Sequence, residues 1–434
     1  MLIQRATTLD GATVDVRVGA RIEEVAGELA PRRGEETFDA AGGTVLPGLH
    51  DHHVHLYSAA AVEDSVRAGP PQVRDRDGLA RALANAPVGS DGWIRAVGYH
   101  DSVAGPLDRT LLDAISPPVP VRVQHRSGAL WILNSAGLTR VGLADHPDGR
   151  LRSADPSWSD ALGHRGTNLA ELSRRLARYG VTGVTDATPD LDVADIVTLT
   201  ELHRRGELRQ HVRCLSPGKR ILHDDDLDLD ALAGWIAERH RAGGPVAIHC
   251  VTAAQLVVTV AALRQAGTRP GDRIEHAAVA PPDSLVDLAA LGLTVVTQPN
   301  FVAERGDEYL AEVPAEEHGQ LWRVASLLRA GVAVALSTDM PFGRDDPWAA
   351  MRAAVHRTTP SGNVLNSSEC VTARTALTMF LGRADEPARP RVVEPGHPGD
   401  LCVLSVSPQT VLAELDADMV AATVIAGKLA FAAG

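Results

Sequence analysis

Two histidines spaced two residues apart are the first feature of this sequence that could do chemistry. His53 and His55 close the stretch VLPGLHDHHVHL (45–56), and side chains at positions i and i+2 point to one face of a strand. Asp51 lies on that face as well. Two imidazoles at the C-terminal end of a strand can bind one metal ion, although an accidental histidine-rich turn would produce the same short motif.

Three further strand-like segments close with residues of metal-ligating type. PVAIHC contains His249, DRIEHA contains His276 and VALSTD ends in Asp339, each after an apolar run. Barrel enzymes place their catalytic groups at such strand ends. A single histidine at a strand end is commonly structural. Ligand-type residues at three strand ends, in addition to the His-x-His motif, favour a metal site. A bound divalent metal lowers the pKa of water from about 15.7 to about 7, so the site predicts hydrolysis by hydroxide.

The segments that must position these residues alternate between strand-like runs and helix-like runs with apolar residues at helical spacing. This alternation is typical of βαβ units and predicts an α/β fold. Residues 57–165 do not follow this alternation of strands and helices well, and we interpret them as a long insertion that shapes the pocket. The strand-like runs are 181–188, 211–216, 245–250, 272–277, 293–298 and 332–339. The helix-like runs include 252–267, 284–292 and 321–331.

The two ends of the chain share a different sequence pattern, in which short apolar runs are separated by glycine, proline and charged residues. They occupy residues 1–46 and 392–434. Neither end has enough apolar surface to stand alone, so we expect the two to pair into one small β-sandwich module. The hydrolase barrel, residues 47–391, would then be inserted between them.

Composition argues against several other classes of protein. The chain has 434 residues, of which 44% are hydrophobic and 22% charged, as in a globular enzyme. A formal net charge of −13 disfavours nucleic acid as a partner. The sequence has no run of about 18 apolar residues and no signal-peptide pattern, and its cysteines form no CxxC pair. We therefore expect a cytoplasmic enzyme with a small-molecule substrate, no nucleic acid and no membrane, with a homodimer as an option.

The order of the ligand-type residues resembles the amidohydrolase superfamily, and PGLHD (47–51) matches its PG-x-x-D motif. RIEHAAVAPPD (273–283) and LSTDMPFGRDDPWAAMRAAVHR (336–357) are similar to the branch that contains N-substituted formamide deformylase and amidohydrolase-3-type proteins. This resemblance implies a TIM-type (β/α)8 barrel with a β-sandwich module. It implies that Asp339 acts as general base and then general acid, beside zinc or else manganese, iron or cobalt. The metal ligands it implies are His53, His55, His249, His276 and Asp339.

Lys219 is a further candidate ligand. Many members of the superfamily bridge two metals with a carboxylated lysine, and Lys219 is the only lysine of the barrel region. Arginine cannot form that carbamate, because its guanidinium stays protonated. However, only SPG separates Lys219 from the strand-like HVRCL, whereas a parallel crossover needs about a dozen residues. Either this unit has lost its helix, or Lys219 lies in a surface loop and the site holds one metal.

Four polar residues are weaker candidates for contact with substrate. Arg126 and Asn134 lie in the insertion, where a structural arginine and a helix cap are the alternative roles. Gln298 and Asn300 follow a strand-like run and would face the pocket.

Three functions are compatible with these residues, and we predict the first. It is hydrolysis of a non-peptide C–N bond in an amide, a formamide or a cyclic amide. The second is hydrolytic deamination of an amino-heterocycle. Deaminases of the superfamily place a glutamate shortly after the position of His249, where this chain has Cys250, Val251 and Thr252. The third is a non-catalytic scaffold, which the intact ligand set disfavours.

Overall fold

The computed structural model describes residues 1–153, 158, 168–189 and 191–433. Contacts between residues divide the chain into two compact units. The first unit combines Met1–His55 with Ala170–Gly434, and the second is Leu56–Leu169. Within the described ranges, no helix is long and apolar enough to cross a membrane.

The strands are numbered in chain order. They are β1 (Leu2–Thr8), β2 (Thr13–Val18), β3 (Ile22–Ala26), β4 (Thr37–Asp39), β5 (Thr44–Pro47), β6 (Leu49–Val54), β7 (Val66–Arg67), β8 (Ile94–Tyr99), β9 (Val121–His125), β10 (Leu130–Leu133), β11 (Arg150–Arg152), β12 (Val181–Asp186), β13 (His211–Cys214), β14 (Lys219–Ile221), β15 (Ala247–Cys250), β16 (Arg273–His276), β17 (Thr294–Thr297), β18 (Ala333–Leu336), β19 (Leu401–Leu404), β20 (Val420–Ile425) and β21 (Lys428–Ala432).

The helices follow the same numbering. They are α1 (Leu56–Glu63), α2 (Arg76–Ala84), α3 (Asp101–Ala104), α4 (Arg109–Ile115), α5 (Ser135–Arg140), α6 (Leu169–Arg178), α7 (Val193–Arg205), α8 (Leu229–Arg241), α9 (Ala253–Ala266), α10 (Pro282–Ala290), α11 (Asn300–Glu312), α12 (Val324–Arg329), α13 (Pro347–His356), α14 (Ala373–Thr378) and α15 (Pro408–Glu414).

Helix α9 illustrates why these segments become helices. Leu256, Val260 and Leu263 recur at helical spacing, and all three are buried. The Thr252 side chain caps the first turn by accepting a hydrogen bond from a backbone N–H of that turn. Gly267 ends the helix with a φ of 83°, which glycine adopts without steric strain.

Parallel strands form two sheets in the first unit. One has the order β13-β12-β6 and the other the order β14-β15-β16-β17-β18. Two main-chain hydrogen bonds join the C-terminal end of β6 to the turn that follows β18. Asp339 N donates to His53 O at 3.0 Å, and His55 N donates to Met340 O at 2.9 Å. Parallel strands are typically covered on both faces, and β6 is buried along its whole length.

Lys219 begins β14, so it lies in a strand and not in a surface loop. β13 pairs with β12, whereas β14 pairs with β15, so the two strands on either side of SPG belong to different sheets. Among the described residues, no helix lies between β13 and β14, so this unit has lost its helix, which was the first of the two alternatives.

Both ends of the chain contribute to one eight-stranded sheet. Its order is β21-β20-β19-β5-β1-β2-β3, with β4 paired to β1. The antiparallel pair of β19 and β5 joins the C-terminal strands to the N-terminal ones. The side chains of its core come from both ends and include Ile3, Val16, Val45, Leu401 and Val424.

The second unit has its own sheet and its own hydrophobic core. The sheet order is β11-β10-β9-β8-β7. Aliphatic side chains of α2, α4, β8 and β9 pack together, and they include Leu79, Leu83, Leu112, Val121 and Val123.

Candidate metal centre

His53, His55 and Asp339 present three ligand-type atoms to one another. Nε2 of His53 lies 3.5 Å from Oδ1 of Asp339, and Nε2 of His55 lies 3.4 Å from the same oxygen. One ligand atom from each residue falls within 4.8 Å of the other two. Nitrogens and a carboxylate oxygen at these separations can bind a single divalent ion.

His276 and His249 extend this group. The His276 ring centroid lies 4.8 Å from that of His53 and 4.5 Å from that of His249. Nδ1 of His276 is 4.0 Å from Oδ2 of Asp339. The parallel register places the strand ends side by side, because Ile221 is level with His249 and Cys250 is level with His276. The five predicted ligands therefore converge.

The backbone is bent at two of these residues. His276 has a φ of 71° and Asp339 a φ of 57°, values that side chains other than glycine rarely adopt. Such conformations cost about 1–3 kcal/mol each and persist where the surroundings enforce them. At Asp339 the amide donates to His53 O, and the carbonyl accepts from Phe342 N at 2.8 Å. Strand β18 ends at Leu336, so Asp339 sits in the following turn, whereas the sequence predicted a strand through 339.

Three of the histidines have Nδ1 engaged by a neighbour. His53 Nδ1 contacts a Glu275 carboxylate oxygen, His276 Nδ1 lies 2.8 Å from Oε1 of Gln298, and His55 Nδ1 lies 3.2 Å from Oγ1 of Thr188. With Nδ1 as the donor, each Nε2 keeps a lone pair for a metal. Outer partners of this kind fix the orientation of ligating imidazoles.

Glu275 is a residue of this candidate site that the sequence analysis missed. It is fully buried, and Arg273 bonds both of its carboxylate oxygens, with Nη2 at 2.9 Å from Oε2. Burial by itself would raise the pKa of Glu275, but Arg273 and Lys219 outweigh it and hold that pKa below its usual value. Arg273 and Glu275 alternate with Ile274 in a buried strand. Buried charges require partners, so two charged residues within a buried strand were the signal in the sequence that pointed to Glu275.

Asp51 organises the turn before Asp339. Its carboxylate accepts from Thr338 N at 3.0 Å and from Thr338 Oγ1 at 2.5 Å. Burial raises the pKa of Asp51 to about 7. The bonds to Thr338 connect the strand that carries His53 to the turn that carries Asp339.

Lys219 belongs to the same cluster electrostatically. Burial lowers its pKa to about 8, and its charge contributes to the depressed pKa values of His53, His249 and His276. Only 5% of the residue is exposed, and its Nζ has no hydrogen-bond partner among the described residues. A buried, unpaired amine is costly as a cation, which fits a chemically modified or metal-facing lysine.

The donor set fits a divalent metal. Burial lowers the pKa of His53 and His276 well below the usual range and that of His249 to about 3, so the imidazoles are neutral near pH 7. Neutral imidazole is the form that ligates metals. Oδ1 of Asp339 is buried and has no hydrogen-bond donor among the described residues, as expected of an oxygen that binds a cation.

The four weaker candidates are all hydrogen-bonded within their own units. Gln298 is fully buried and also donates to Ser337 Oγ at 2.8 Å, so its side chain holds His276. Asn300 donates to Thr338 O at 3.0 Å. In the second unit, Asn134 caps α5, and Arg126 N donates to Tyr99 O at 2.8 Å. Contact of these four with substrate stays a prediction.

Comparison with known proteins identifies the family. A model described as amidohydrolase family matches residues 36–431. N-substituted formamide deformylase of Arthrobacter pascens is 27% identical over 480 residues, with 89% of this chain and 87% of that enzyme covered.

Two solved structures share the fold. An uncharacterised metal-dependent hydrolase from Pyrococcus horikoshii OT3 has a TM-score of 0.72 at 19% identity and covers 95% of this chain and 98% of its own. A 5-methylcytosine deaminase from Klebsiella pneumoniae has a TM-score of 0.59 at 15% identity, with 100% and 98% covered. These likenesses give a TIM-like α/β fold with mixed sheets. With a family match over most of its length, the chain belongs to the amidohydrolase family and is a hydrolase that acts on C–N bonds.

Proposed function

We propose that this enzyme hydrolyses a non-peptide C–N bond of amide type, in a formamide, another amide or a cyclic amide. The observation that carries the proposal is the approach of His53 and His55 to Asp339, whose Oδ1 is buried without a hydrogen-bond donor among the described residues. The relative from Arthrobacter pascens is named for cleavage of N-substituted formamides, which favours that substrate class here.

The metal we propose is zinc, held by His53, His55, His249, His276 and Asp339. Imidazole and carboxylate ligands suit zinc, and they also accept manganese, iron or cobalt. We further propose that Lys219 is carboxylated and joins the ligand set, so that the centre holds two ions. The buried and unpaired Nζ of Lys219 supports this role.

A bound metal would activate water near neutral pH and polarise the carbonyl of the substrate. The remaining steps belong to side chains. Oδ1 of Asp339 takes a proton from the attacking water and passes it to the leaving nitrogen, as general base and then general acid. Glu275 holds Nδ1 of His53, and Gln298 holds Nδ1 of His276, so Nε2 of each ring keeps its lone pair for a metal.

The larger architecture that goes with this function is also proposed. We expect the parallel strands of the two sheets to close into a (β/α)8 barrel over 47–391, and the hydrogen bonds that Asp339 N and His55 N donate between the β18 and β6 segments support closure. We expect 1–46 and 392–434 to complete a β-sandwich. The four cysteines are free, which supports a reducing, cytoplasmic compartment. A homodimer stays a prediction.

Hydrolytic deamination of an amino-heterocycle is the second candidate. The fold likeness to a cytosine deaminase is compatible with it. Val251 and Thr252, which follow His249, provide no carboxylate for proton transfer to a ring nitrogen. A panel of amides and amino-heterocycles, scored for released amine against released ammonia, separates the two candidates.

Metal analysis tests the centre directly. Purified wild-type protein should contain two divalent ions per chain, and Lys219→Ala should contain one or none. Lys428→Ala is the matched control, because Lys428 lies in an exposed position of β21 and should leave the metal content unchanged. An unchanged count in Lys219→Ala would remove Lys219 from the site. Full hydrolytic activity in His53→Ala would overturn the proposed function.

A further inference from the structure

A cavity lies at the opposite ends of the strands that carry the metal ligands. Its volume is about 290 Å³. It is lined where β14, β15 and β16 begin, by Gly218, Val246 and Arg273 among others, whereas His249 and His276 lie at the far ends of β15 and β16. The cavity is therefore separate from the metal centre.

Three arginines line this cavity, namely Arg213, Arg239 and Arg273. None of the described residues that line it carries a carboxylate. A cavity with several cations and no acid concentrates positive potential, because low-dielectric walls screen charge poorly.

Two of these arginines lack a counter-ion. In the described part of the chain, no carboxylate oxygen lies within 4.0 Å of Arg213 or Arg239, and neither guanidinium makes a hydrogen bond. Nε of Arg239 is buried and unsatisfied. Burial and then the neighbouring charge of Arg273 lower the pKa of Arg213, and the charge of Asp385 offsets this only in part. A buried donor without an acceptor is costly, so Nε of Arg239 is a donor that a ligand in this cavity would satisfy.

Arg273 is different, because its charge is already compensated. Nε and Nη2 bond Glu275, and Nη2 also donates to His52 O at 2.7 Å. Nη1 makes no hydrogen bond to any described residue. Arg273 thus adds positive charge beside the cavity while it supports the metal centre through Glu275.

We infer that this cavity is a binding site for a small oxyanion, of the phosphate or carboxylate class. Arginine forks match the oxygen geometry of these anions and form charge-assisted hydrogen bonds with them. A volume of 290 Å³ is at the small end of ligand sites, which excludes a nucleotide as occupant. Arg213 also lines a larger cavity of about 970 Å³, whose lining includes the carboxylates of Asp385 and Asp400 as well as further arginines. The smaller cavity has no carboxylate in its lining, so it is the one that we assign to an anion.

Calorimetric titration of the metal-loaded, full-length enzyme tests this site. Inorganic phosphate is titrated at constant ionic strength, with chloride as the competing anion, and acetate in a parallel arm distinguishes a phosphate from a carboxylate ligand. We expect one saturable site per chain for at least one of them. Arg239→Gln and Arg213→Gln should each weaken it at least tenfold, as expected for loss of one charged hydrogen-bond donor.

The control is Arg204→Gln, which removes an exposed arginine paired with Glu201 and should bind as wild type does. In chloride, both cavity variants should unfold at the same temperature as wild type or higher, because they remove uncompensated cations. Arg239→Lys keeps the charge and gives a second folded variant, with binding between wild type and Arg239→Gln. Absence of saturable binding in wild type would overturn the inference. So would equal binding in all variants, which would assign the anion to the metal centre or the surface.

Discussion

Replacement of Glu275 by glutamine is the most informative single change in this molecule. Three donors converge on the Glu275 carboxylate: Nε and Nη2 of Arg273, and Nδ1 of His53. Glutamine has the same shape but one acceptor oxygen. If that oxygen faces His53, the amide N–H faces Nε of Arg273. If the amide is flipped, its N–H faces Nδ1 of His53 and favours the His53 tautomer that carries its hydrogen on Nε2.

The structure sets the size of the expected effects. The carboxylate is fully buried, and removal of one partner from a buried ion pair costs about 3–5 kcal/mol of unfolding free energy. Loss of the hydrogen bond that orients a metal-ligating histidine lowers metal affinity about 10–100-fold, or about 1.4–2.7 kcal/mol. Stability of the metal-free protein and affinity for metal should therefore both fall.

Two measurements separate these effects. Urea unfolding of metal-free Glu275→Gln gives the loss of stability. Competition with a chelator gives the dissociation constant for zinc. Under saturating zinc the loss of unfolding free energy should be larger than without zinc, because weaker binding stabilises the folded state less.

Glu369→Gln is the matched control. Glu369 is also almost fully buried and ion-paired, with Oε1 at 3.4 Å from Nε of Arg323. It should lose stability and keep the zinc affinity of wild type. If Glu275→Gln binds zinc within twofold of wild type, or if both variants lose affinity equally, then Glu275 does not act through His53 and the reasoning is refuted.

Three other changes have defined outcomes. Gln298→Leu leaves Nδ1 of His276 without its acceptor, so zinc binding should weaken about tenfold in competition with a chelator. An unchanged zinc affinity would count against a positioning role for Gln298. Gly48→Ala would place a methyl group 2.1 Å from Cγ2 of Thr182, so urea unfolding should show a loss of about 1–3 kcal/mol. An aspartate hydrogen bond raises the pKa of His211, so His211→Gln should cost about 0.5 kcal/mol below the unfolded-state pKa of 6.5. This cost should vanish as pH rises through the raised folded-state pKa, and a loss that is equal near pH 6 and pH 9 would contradict the assignment.

Gly234 supplies the control for the change at Gly48. Gly234→Ala lies in the exposed face of α8 with no atom within 4 Å of the added carbon, and it should stabilise the helix by about 0.5–1 kcal/mol.

Much of the fold could be predicted because buried parallel strands read as short apolar runs. The run 245–250 contains β15 (Ala247–Cys250), and 252–267 contains α9 (Ala253–Ala266). Membership of the amidohydrolase family, which the residue order predicted, is confirmed by the family match. Convergence of ligands at strand ends could be anticipated because adjacent parallel strands keep a fixed register.

The remaining features depend on contacts between distant segments, which local pattern does not encode. Glu275 precedes a predicted ligand, but its partner His53 lies 222 residues away in the chain. β18 ends at Leu336 because the amide of Thr338 bonds the side chain of Asp51, 287 residues away, and not a neighbouring strand. The position of Lys219 depended on which sheet β14 joins, and residue spacing carries no information about that.

The pairing of β5 with β19 has a consequence for synthesis of the chain. Oγ1 of Thr44 bonds the carbonyl of Val406, 362 residues further along. At 5–20 residues per second, a ribosome needs roughly 20–70 s to deliver that partner. Closing so long a loop also costs about 5 kcal/mol in chain entropy. Until then one edge of β5 has open backbone donors and acceptors, a template for unwanted pairing between nascent chains. The end sheet is therefore the last part of the protein to assemble and the step at which a chaperone would matter most.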